Sequence, residues 1–478
     1  MRHATIAYAG AIVFDRLLSL ILLPVLTRIL NQDDYGAWSQ TGISASLGII
    51  IILYAFPTLI IRHHATDTGP TARKFAFDRI GLLCICIGLL WTLAALSTPS
   101  TVARIVYGNA QYSALVKALL LWTFAEAAIE FAIAWWRALS RIGAIASILI
   151  LRSTYRVSFA ILIATFSGSP LSVWLWHYSI ALSILAIFIL ALSRHAACSG
   201  PATDSLRVPP TIRMQFLEAS PLVALTILTT LSGYVDRYLL AAWASIETVA
   251  IYAAAASMAA VPFMIHSALG FTLFPMMSRQ WALGEHAKAA QLMKKTLLLY
   301  CFLSAPVVLT VSIFGAQVLP WLTTRDYQVE PIVFIYLSIS VLALGIQQIL
   351  VYSLLLEGKG LKMLQLAAIA ICLNLILAFL LIPQFEMRGA ALAAALANVI
   401  LAAMTNQAIR SIINWRFPLF QIIRFFISAC LCALPLFFLA IFNLLSLIYV
   451  LPILMTAGVT YLALDWWSDE SMLRHSLS

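Results

Sequence analysis

Residues 331–356 read PIVFIYLSISVLALGIQQILVYSLLL, a run that contains no charged side chain. A transmembrane α-helix needs about 20 consecutive, mostly apolar residues, and this stretch is longer than that. Backbone N–H and C=O groups inside a bilayer must find partners within the segment, which favours a helix over an open strand. The stretch therefore predicts a membrane-spanning helix.

The chain as a whole has the composition of a membrane protein. Of its 478 residues, 63% are hydrophobic and 10% are charged, whereas a soluble domain carries about 25% charged residues. A soluble fold of this length must still present a polar surface to water. We therefore expect an all-α polytopic membrane protein with about 14 spanning segments. Their approximate bounds are 6–30, 38–61, 79–98, 113–136, 142–166, 171–193, 214–242, 248–277, 296–318, 331–356, 361–382, 389–412, 418–441 and 444–465.

The positive charges of the chain predict its topology. Alternate loops and the two termini hold about 20 of the 29 Lys and Arg residues, and cytoplasmic loops carry such an excess. Both termini are therefore predicted to be cytoplasmic, which agrees with an even number of segments. The net charge of +10 is explained by topology, so we expect no nucleic-acid partner.

Two further features exclude other classes. The first apolar stretch is too long for the hydrophobic region of a signal peptide and is interpreted as the first segment. The seven Cys residues lack the paired spacing of a zinc site, so we expect no metal, no other cofactor and no disulfide framework.

The longest loop predicts a division of the chain. Residues 194–213 are polar and contain Gly200-Pro201 and Pro209-Pro210, a composition typical of a linker. We expect an N-terminal lobe over 1–193, this cytoplasmic linker over 194–213, a C-terminal lobe over 214–413, and two extra helices with a cytoplasmic tail over 414–478.

Few charged residues lie deep in the predicted segments, where each costs about 2.5–3.5 kcal/mol or more at the bilayer centre. Arg152 and Arg156 share one face of segment 5 because they are four residues apart. Arginine binds phosphate through a planar fork of donors, so a pyrophosphate head group suits this pair. The alternative is pairing with Glu126 and Glu130 of segment 4, and the two interpretations are compatible.

Asp15-Arg16 in segment 1 and Asp236-Arg237 in segment 7 form a weak internal repeat, as in many transporters. Adjacent residues point in different directions on a helix, so one member of each pair can face a cavity while the other contacts a neighbouring helix. Inter-helix pairing without a ligand role is the alternative. The predicted substrate-binding cations are Arg152, Arg156, Arg16 and Arg237, and the predicted charge-balancing or ion-coupling residues are Asp15, Glu126, Glu130 and Asp236.

Aromatic and histidine side chains near these charges are weaker candidates. Tyr155, Tyr234 and Tyr238 could stack on sugar rings, although interfacial belts are the commoner role of such residues. His177 and His266 lie inside predicted segments. A lone histidine there is more often a hydrogen-bonded packing residue than a proton relay.

Three groups of motifs occur in order along the chain. They are RLLSLILLPVLTRIL over 16–30 followed by Tyr35-Gly36; VDRYLL over 235–240 followed by IYAAA over 251–255 and PMMSR over 275–279; and LNL over 373–375 followed by LIPQF over 381–385 and GAALA over 389–393. Together they resemble the O-antigen and polysaccharide repeat-unit flippases of the multidrug/oligosaccharidyl-lipid/polysaccharide (MOP) exporter superfamily. Glu386-Met387-Arg388 departs from the pattern, because the family often has a glycine after the aromatic residue.

The resemblance implies two six-helix lobes around a central cavity that opens alternately to each side of a bacterial inner membrane. The implied substrate is a polyprenyl-pyrophosphate-linked oligosaccharide for lipopolysaccharide or other surface polysaccharide biosynthesis, and the implied partners are membrane lipids and other polysaccharide-assembly proteins. A non-enzymatic transporter is expected. The alternatives are a cation-coupled small-molecule or multidrug exporter of the same superfamily and a membrane-embedded polysaccharide polymerase or ligase. The short loops and the lack of an Asp-x-Asp motif disfavour the enzyme.

Overall fold

Helices account for nearly all of the regular structure. The computed structural model describes residues 2–54, 56, 70–165, 170–198, 220, 223–224, 226–441 and 461. Over these ranges there is no β-strand, and nine helices are long and apolar enough to cross a membrane. This confirms the predicted all-α polytopic membrane fold.

The chain divides into two compact units, Met1–Ala253 and Ala254–Ser478. The boundaries of the two predicted lobes and of the linker stay a prediction, and most of the linker lies outside the described residues. The helices of the first unit, the last of which runs into the second, are α1 (Arg2–Ile29), α2 (Gln32–Leu53), α3 (Pro70–Ser97), α4 (Pro99–Tyr107), α5 (Ser113–Ala138), α6 (Ile142–Thr165), α7 (Leu171–Cys198), α8 (Val235–Trp243) and α9 (Ile246–Ala259).

The second unit continues the same pattern of long apolar helices. These are α10 (Val261–Ala282), α11 (His286–Leu322), α12 (Pro331–Leu356), α13 (Gly360–Ile409) and α14 (Leu419–Ile441). The predicted segment 444–465 lies outside the described residues except for Tyr461, whose hydroxyl donates to the main-chain oxygen of Phe302 at 2.9 Å.

Each unit has its own apolar core, and large apolar side chains also cover its outer surface. In the first unit Phe77 packs edge-on against Trp135 at 5.1 Å between ring centroids. On the surface of the second unit, Phe420 is 80% exposed and Phe379 is 63% exposed. Exposed apolar surface on this scale needs an apolar solvent, as the bilayer is.

The short helix α4 was not predicted. It is amphipathic: Ala103, Val106 and Tyr107 are buried while the charged Arg104 is exposed. Pro99 begins it, since a proline at the first position of a helix costs no hydrogen bond. Helix α4 is too short to span a bilayer, so a search for long apolar segments does not detect it.

Two predicted segments are broken where the sequence contains Gly or Pro. Segment 7 has a turn at Gly233-Tyr234, and α8 begins only at Val235. Segment 8 is interrupted at Ala260, because Pro262 at the start of α10 has no N–H to continue the helical bonds of α9. A glycine or a proline inside a helix weakens its hydrogen bonding, which explains both breaks.

The predicted segments 361–382 and 389–412 are two helices that meet at a sharp kink within the range given as α13. Glu386 lies at the kink with φ 44° and ψ −120°, outside helical geometry. This is the position where the resembled family often has glycine, and positive φ favours glycine because a Cβ is crowded there. Gly389 is required as well, since a Cβ on it would lie 2.3 Å from the main-chain oxygen of Leu381.

Two glycines allow helix backbones to touch in the first unit. A Cβ on Gly36 of α2 would lie 2.2 Å from the main-chain oxygen of Ile246. Gly108 follows α4 with φ 76°. A Cβ on it would lie 1.7 Å from the main-chain oxygen of Ala241. We call these four residues the glycine joint. It holds α2 and the end of α4 directly against α8 and the start of α9.

Candidate functional site

The first candidate site is a cluster of ion pairs between α5 and α6. Arg152 and Arg156 lie one turn apart on α6, as predicted. Arg152 donates to Glu130 at 2.6 Å, and Arg156 donates to Glu126 at 2.7 Å. Both pairs join the same two helices, so the equal four-residue spacing on α5 and α6 brings the charges into register.

Glu126 is the central carboxylate of this cluster. It also lies 3.5 Å from Arg152, and its side chain is only 5% exposed, against 37% for Glu130. A buried carboxylate needs such partners, because a lone charge in an apolar environment is costly. The structure thus contains the pairing that the alternative interpretation of the two arginines required.

The carboxylate of Asp15 joins the cluster from α1. It accepts a hydrogen bond from the hydroxyl of Ser153, which lies on α6 between the two arginines. Arg16 belongs to the same helix, but the placement of its side chain is outside the described part of the structure. The placed side chains of Asp15, Glu126, Glu130, Arg152 and Arg156 therefore carry three negative and two positive charges.

The second candidate site lies at the break before α8. Asp236 and Arg237 occupy the first turn of this helix, directly after the turn at Gly233-Tyr234. Asp236 is buried, and both of its oxygens have donors: the main-chain N–H of Arg237 at 2.9 Å and the hydroxyl of Tyr252 at 2.5 Å. The carboxylate is therefore held by these two groups rather than by the guanidinium beside it.

The guanidinium of Arg237 is consequently left without a carboxylate partner. It lies 5.5 Å from the ring centre of Tyr234, a cation–π arrangement. Its Nε is buried without a hydrogen-bond partner, and among the placed side chains it forms no ion pair. Discontinuous helices bind anionic groups in transporters, so this position and a guanidinium that no carboxylate contacts directly suit an anionic ligand.

An aromatic cluster surrounds the ion pairs of the first unit. Tyr178 packs against Trp38 at 5.0 Å, Trp122 at 4.5 Å and Phe159 at 5.1 Å between ring centroids. Tyr155, a predicted sugar-stacking residue, donates its hydroxyl to the main-chain oxygen of Tyr178 at 2.6 Å. These contacts explain the rings by packing, and a role in sugar binding stays a prediction.

Tyr238, the other predicted stacking residue of α8, borders an apolar cavity of about 520 Å³. Its hydroxyl lies 2.7 Å from the hydroxyl of Ser44 on α2. Thr123 on the opposite wall donates to the main-chain oxygen of Leu119 at 2.7 Å. All three hydroxyls that line the cavity are thus satisfied by the protein, and the remaining lining is apolar.

Two residues of these sites were not among the sequence predictions. Ser153 and Tyr252 hold the two aspartates in place, yet each is an uncharged hydroxyl residue of a kind common in membrane helices. The spacing from Asp236 to Tyr252 crosses two helices, so no helical periodicity connects them. Asp15 and Asp236 themselves were the only sequence signals that a donor was needed nearby.

Comparison with known proteins agrees with this architecture. Residues 2–281 match the family model described as polysaccharide biosynthesis protein. No curated protein sequence matches the chain. Among solved structures, the lipid II flippase MurJ in an inward closed conformation has a TM-score of 0.75 at 13% identity and covers 96% of this chain and 97% of its own.

Other solved transporters share the fold more distantly. A variant of the MATE transporter VcmN from Vibrio cholerae has a TM-score of 0.53 at 18% identity, covering 86% of this chain and 98% of its own. A MOP superfamily transporter from Pyrococcus furiosus has a TM-score of 0.57 at 14% identity, covering 85% and 95%.

The helical fold and the buried charges define a multi-pass membrane protein with the fold of these solved flippases and transporters. Since the family model covers more than half of its length, the chain belongs to the polysaccharide biosynthesis protein family. The family predicted from the three groups of motifs is confirmed.

Proposed function

We propose that this transporter flips a polyprenyl-pyrophosphate-linked oligosaccharide from the cytoplasmic to the outer leaflet by alternating access, as a step in surface polysaccharide biosynthesis. The family description supports a substrate of this class. The similarity of fold to a lipid II flippase over nearly the whole of both chains is compatible with it. In this proposal the protein lies in a bacterial inner membrane with both termini in the cytoplasm.

The observation that carries the proposal is the guanidinium of Arg237, a half-buried cation without a carboxylate partner in the described structure. A desolvated cation of this kind gains most from an anion that accepts several hydrogen bonds, and a pyrophosphate does so. We propose that Arg237 binds the pyrophosphate head group of the lipid-linked substrate.

Arg152 and Arg156 have a different role in the proposal. Glu126 and Glu130 already neutralise them, so a pyrophosphate would have to compete with two carboxylates. In the empty transporter this cluster keeps the buried charges balanced. When a substrate approaches, these two arginines can exchange a carboxylate for a phosphate oxygen. Arg16 on α1 stays a predicted substrate-binding cation.

The test is a deletion strain complemented with wild type, Arg237→Ala, Arg237→Lys or the control Arg194→Ala. Arg194 forms an exposed ion pair with Asp78 at 2.7 Å, far less buried than the candidate site. We expect wild type and Arg194→Ala to restore surface polysaccharide. Arg237→Ala should fail and accumulate complete repeat units on the cytoplasmic leaflet. Arg237→Lys should restore it partly, because lysine keeps the charge and loses the fork.

Other outcomes would contradict the proposal. Unchanged surface polysaccharide in the deletion strain would exclude the flippase function. Complete repeat units that reach the outer leaflet and stay unpolymerised would favour a polymerase. Full rescue by Arg237→Ala would leave the flippase intact but remove Arg237 from the substrate site.

A cation-coupled exporter of small molecules is the second candidate. It is favoured by the excess of one carboxylate in the cluster of Asp15, Glu126, Glu130, Arg152 and Arg156, since a bound proton or Na⁺ would neutralise it. Drug accumulation in the deletion strain, compared with wild type, distinguishes this candidate from the first.

A further inference from the structure

His266 lies in an unusual place for a histidine. It belongs to α10, about one turn after the break that separates this helix from α9. Breaks in membrane helices leave main-chain groups without helical partners and mark sites of ion and substrate binding in transporters. An ionisable residue at such a position is a candidate for function rather than for packing alone.

The imidazole of His266 is buried without a partner. His266 is only 6% exposed, and neither ring nitrogen has a hydrogen-bond partner among the described residues. A buried polar group left unpaired costs about 1–3 kcal/mol. A side chain that served only to pack would therefore be more stable here as an apolar residue of similar size.

His177 provides the comparison within the same chain. It lies on α7, is exposed, and its Nδ1 is 2.8 Å from the main-chain oxygen of Val173, one turn earlier. That contact is the hydrogen-bonded packing role expected from the sequence. The same expectation fails for His266, which has no such contact with its own helix in the structure as described.

Three helices surround the imidazole, and their side chains that face it are aromatic. Phe263 of α10 lies 5.2 Å away and Tyr300 of α11 lies 6.3 Å away between ring centroids. Tyr352 of α12 approaches over Gly270, which contributes no side chain. The titratable groups facing His266 are the two tyrosines, and no ion pair to it is found among the placed side chains.

Gly270 lets the hydroxyl of Tyr352 approach His266. A Cβ on this glycine would lie 2.5 Å from the hydroxyl oxygen of Tyr352 and 3.5 Å from Nε2 of His266. The two polar atoms are therefore at most about 6 Å apart, a separation that one water molecule can bridge with two hydrogen bonds. Gly270 thus brings the Tyr352 hydroxyl near the imidazole, where the two can share a water molecule.

We propose that His266 is a proton-binding site of the second unit, and that uptake and release of a proton at Nε2 couple transport to the proton gradient. The proton comes from hydronium and leaves a water molecule behind, while the imidazole becomes an imidazolium. Because the described residues offer it no ion pair, the imidazolium favours a conformation in which water reaches the break before α10. The coupling rests on the proposed flippase function, whereas the proton binding does not.

Two measurements test the two parts separately. Wild-type protein in nanodiscs, labelled with ¹⁵N-histidine, reports protonation without any substrate. We expect one set of ring resonances, absent from His266→Gln, to shift between about pH 4 and 7. Ring resonances of His266 that stay those of the neutral form over this whole range would overturn the proton site.

The second measurement follows flipping of a lipid-linked oligosaccharide in proteoliposomes with and without a pH gradient. Wild type and His177→Gln should respond to the gradient by about threefold or more, and His266→Gln should transport at a rate that the gradient does not change. A gradient response retained in His266→Gln would overturn the coupling.

Additional variants keep both tests decisive if His266→Gln folds poorly. Gly270→Ala forces the hydroxyl of Tyr352 away from His266, because the added Cβ would lie 2.5 Å from it, and Tyr352→Phe removes that hydroxyl. Both should reduce the gradient response at least about twofold if water delivers the proton, and unchanged responses in both would argue against the route. If no variant, wild type included, flips the substrate, the flippase proposal fails, and the ¹⁵N titration still decides the proton site.

Discussion

Glu126 lies between two guanidinium groups, with Arg156 at 2.7 Å and Arg152 at 3.5 Å. One buried carboxylate therefore serves two partly buried cations, while Glu130 contributes from a more exposed position. This asymmetry makes the two glutamates, which are four residues apart on one helix, unequal in their importance for stability.

Glu126→Gln is expected to lower the free energy of unfolding by about 3–5 kcal/mol, because both arginines lose their buried counter-charge. Glu130→Gln should cost no more than about 1 kcal/mol, since its pair with Arg152 is partly solvated. Thermal or denaturant unfolding in detergent measures both. Glu330→Gln, which disrupts an exposed pair with Arg388, serves as the control. Equal losses for the two glutamates of α5 would contradict the central position of Glu126.

The glycine joint predicts a strong response to the smallest possible substitution. Gly36→Ala and Gly108→Ala each place a methyl group against a main-chain oxygen, and overpacking of this kind costs about 1–3 kcal/mol or more. Gly143→Ala on α6 is the matched control, because nothing lies within 4 Å of its Cβ position. It should be neutral or stabilise by up to about 1 kcal/mol. Unfolding midpoints that fall alike for all three variants would rule out the backbone contact as the cause.

Tyr252→Phe removes one of the two donors to Asp236. We expect a loss of about 1–3 kcal/mol in stability, because a buried carboxylate oxygen is left unpaired. The freed oxygen should then attract Arg237 and reduce transport of the lipid-linked substrate. Tyr107→Phe is the control, since its hydroxyl bonds Thr41 at 2.9 Å and has no charged partner.

The double variant Tyr252→Phe with Asp236→Asn separates the two effects. Because an amide carries no negative charge, Arg237 should be free again, and transport should recover at least partly. A transport defect that persists in the double variant would show that Tyr252 acts in another way.

The kink of α13 predicts a stabilising substitution. Glu386→Gly should raise the free energy of unfolding by about 1 kcal/mol, because glycine adopts the positive φ of this position without crowding. Glu386→Ala keeps the Cβ and should bring no such gain. Comparison of the two unfolding midpoints tests the conformational cause, and a similar gain from alanine would attribute the effect to the lost charge instead.

Most of the fold could be predicted from the sequence because bilayer thickness dictates segment length. The bounds of segment 10, residues 331–356, agree with those of α12. The breaks were harder to predict, since glycine and proline occur in membrane helices that stay continuous. Pro275 lies inside α10 without ending it, whereas Pro262 begins a new helix. Whether a proline ends a helix, as Pro262 does and Pro275 does not, depends on the side chains packed around it.

The candidate site was predictable in part for a related reason. The shared spacing of Glu126 and Glu130 with Arg152 and Arg156 is a local property of two helices, so the possible pairing was visible in the sequence. Arg237 differs, because the neighbouring Asp236 suggests neutralisation. Its free guanidinium depends on Tyr252, a residue from the next helix, and such a long-range contact has no signature in a single sequence.

The glycine joint also bears on how such a transporter can evolve. Its contacts are made with the main-chain oxygens of Ala241 and Ile246 and not with their side chains. Mutations at these two positions can therefore accumulate without disturbing the contact, while every substitution at Gly36 and Gly108 adds at least one carbon atom to it. Among homologues with divergent substrates, selection should thus preserve the two glycines and leave the residues they touch free to drift.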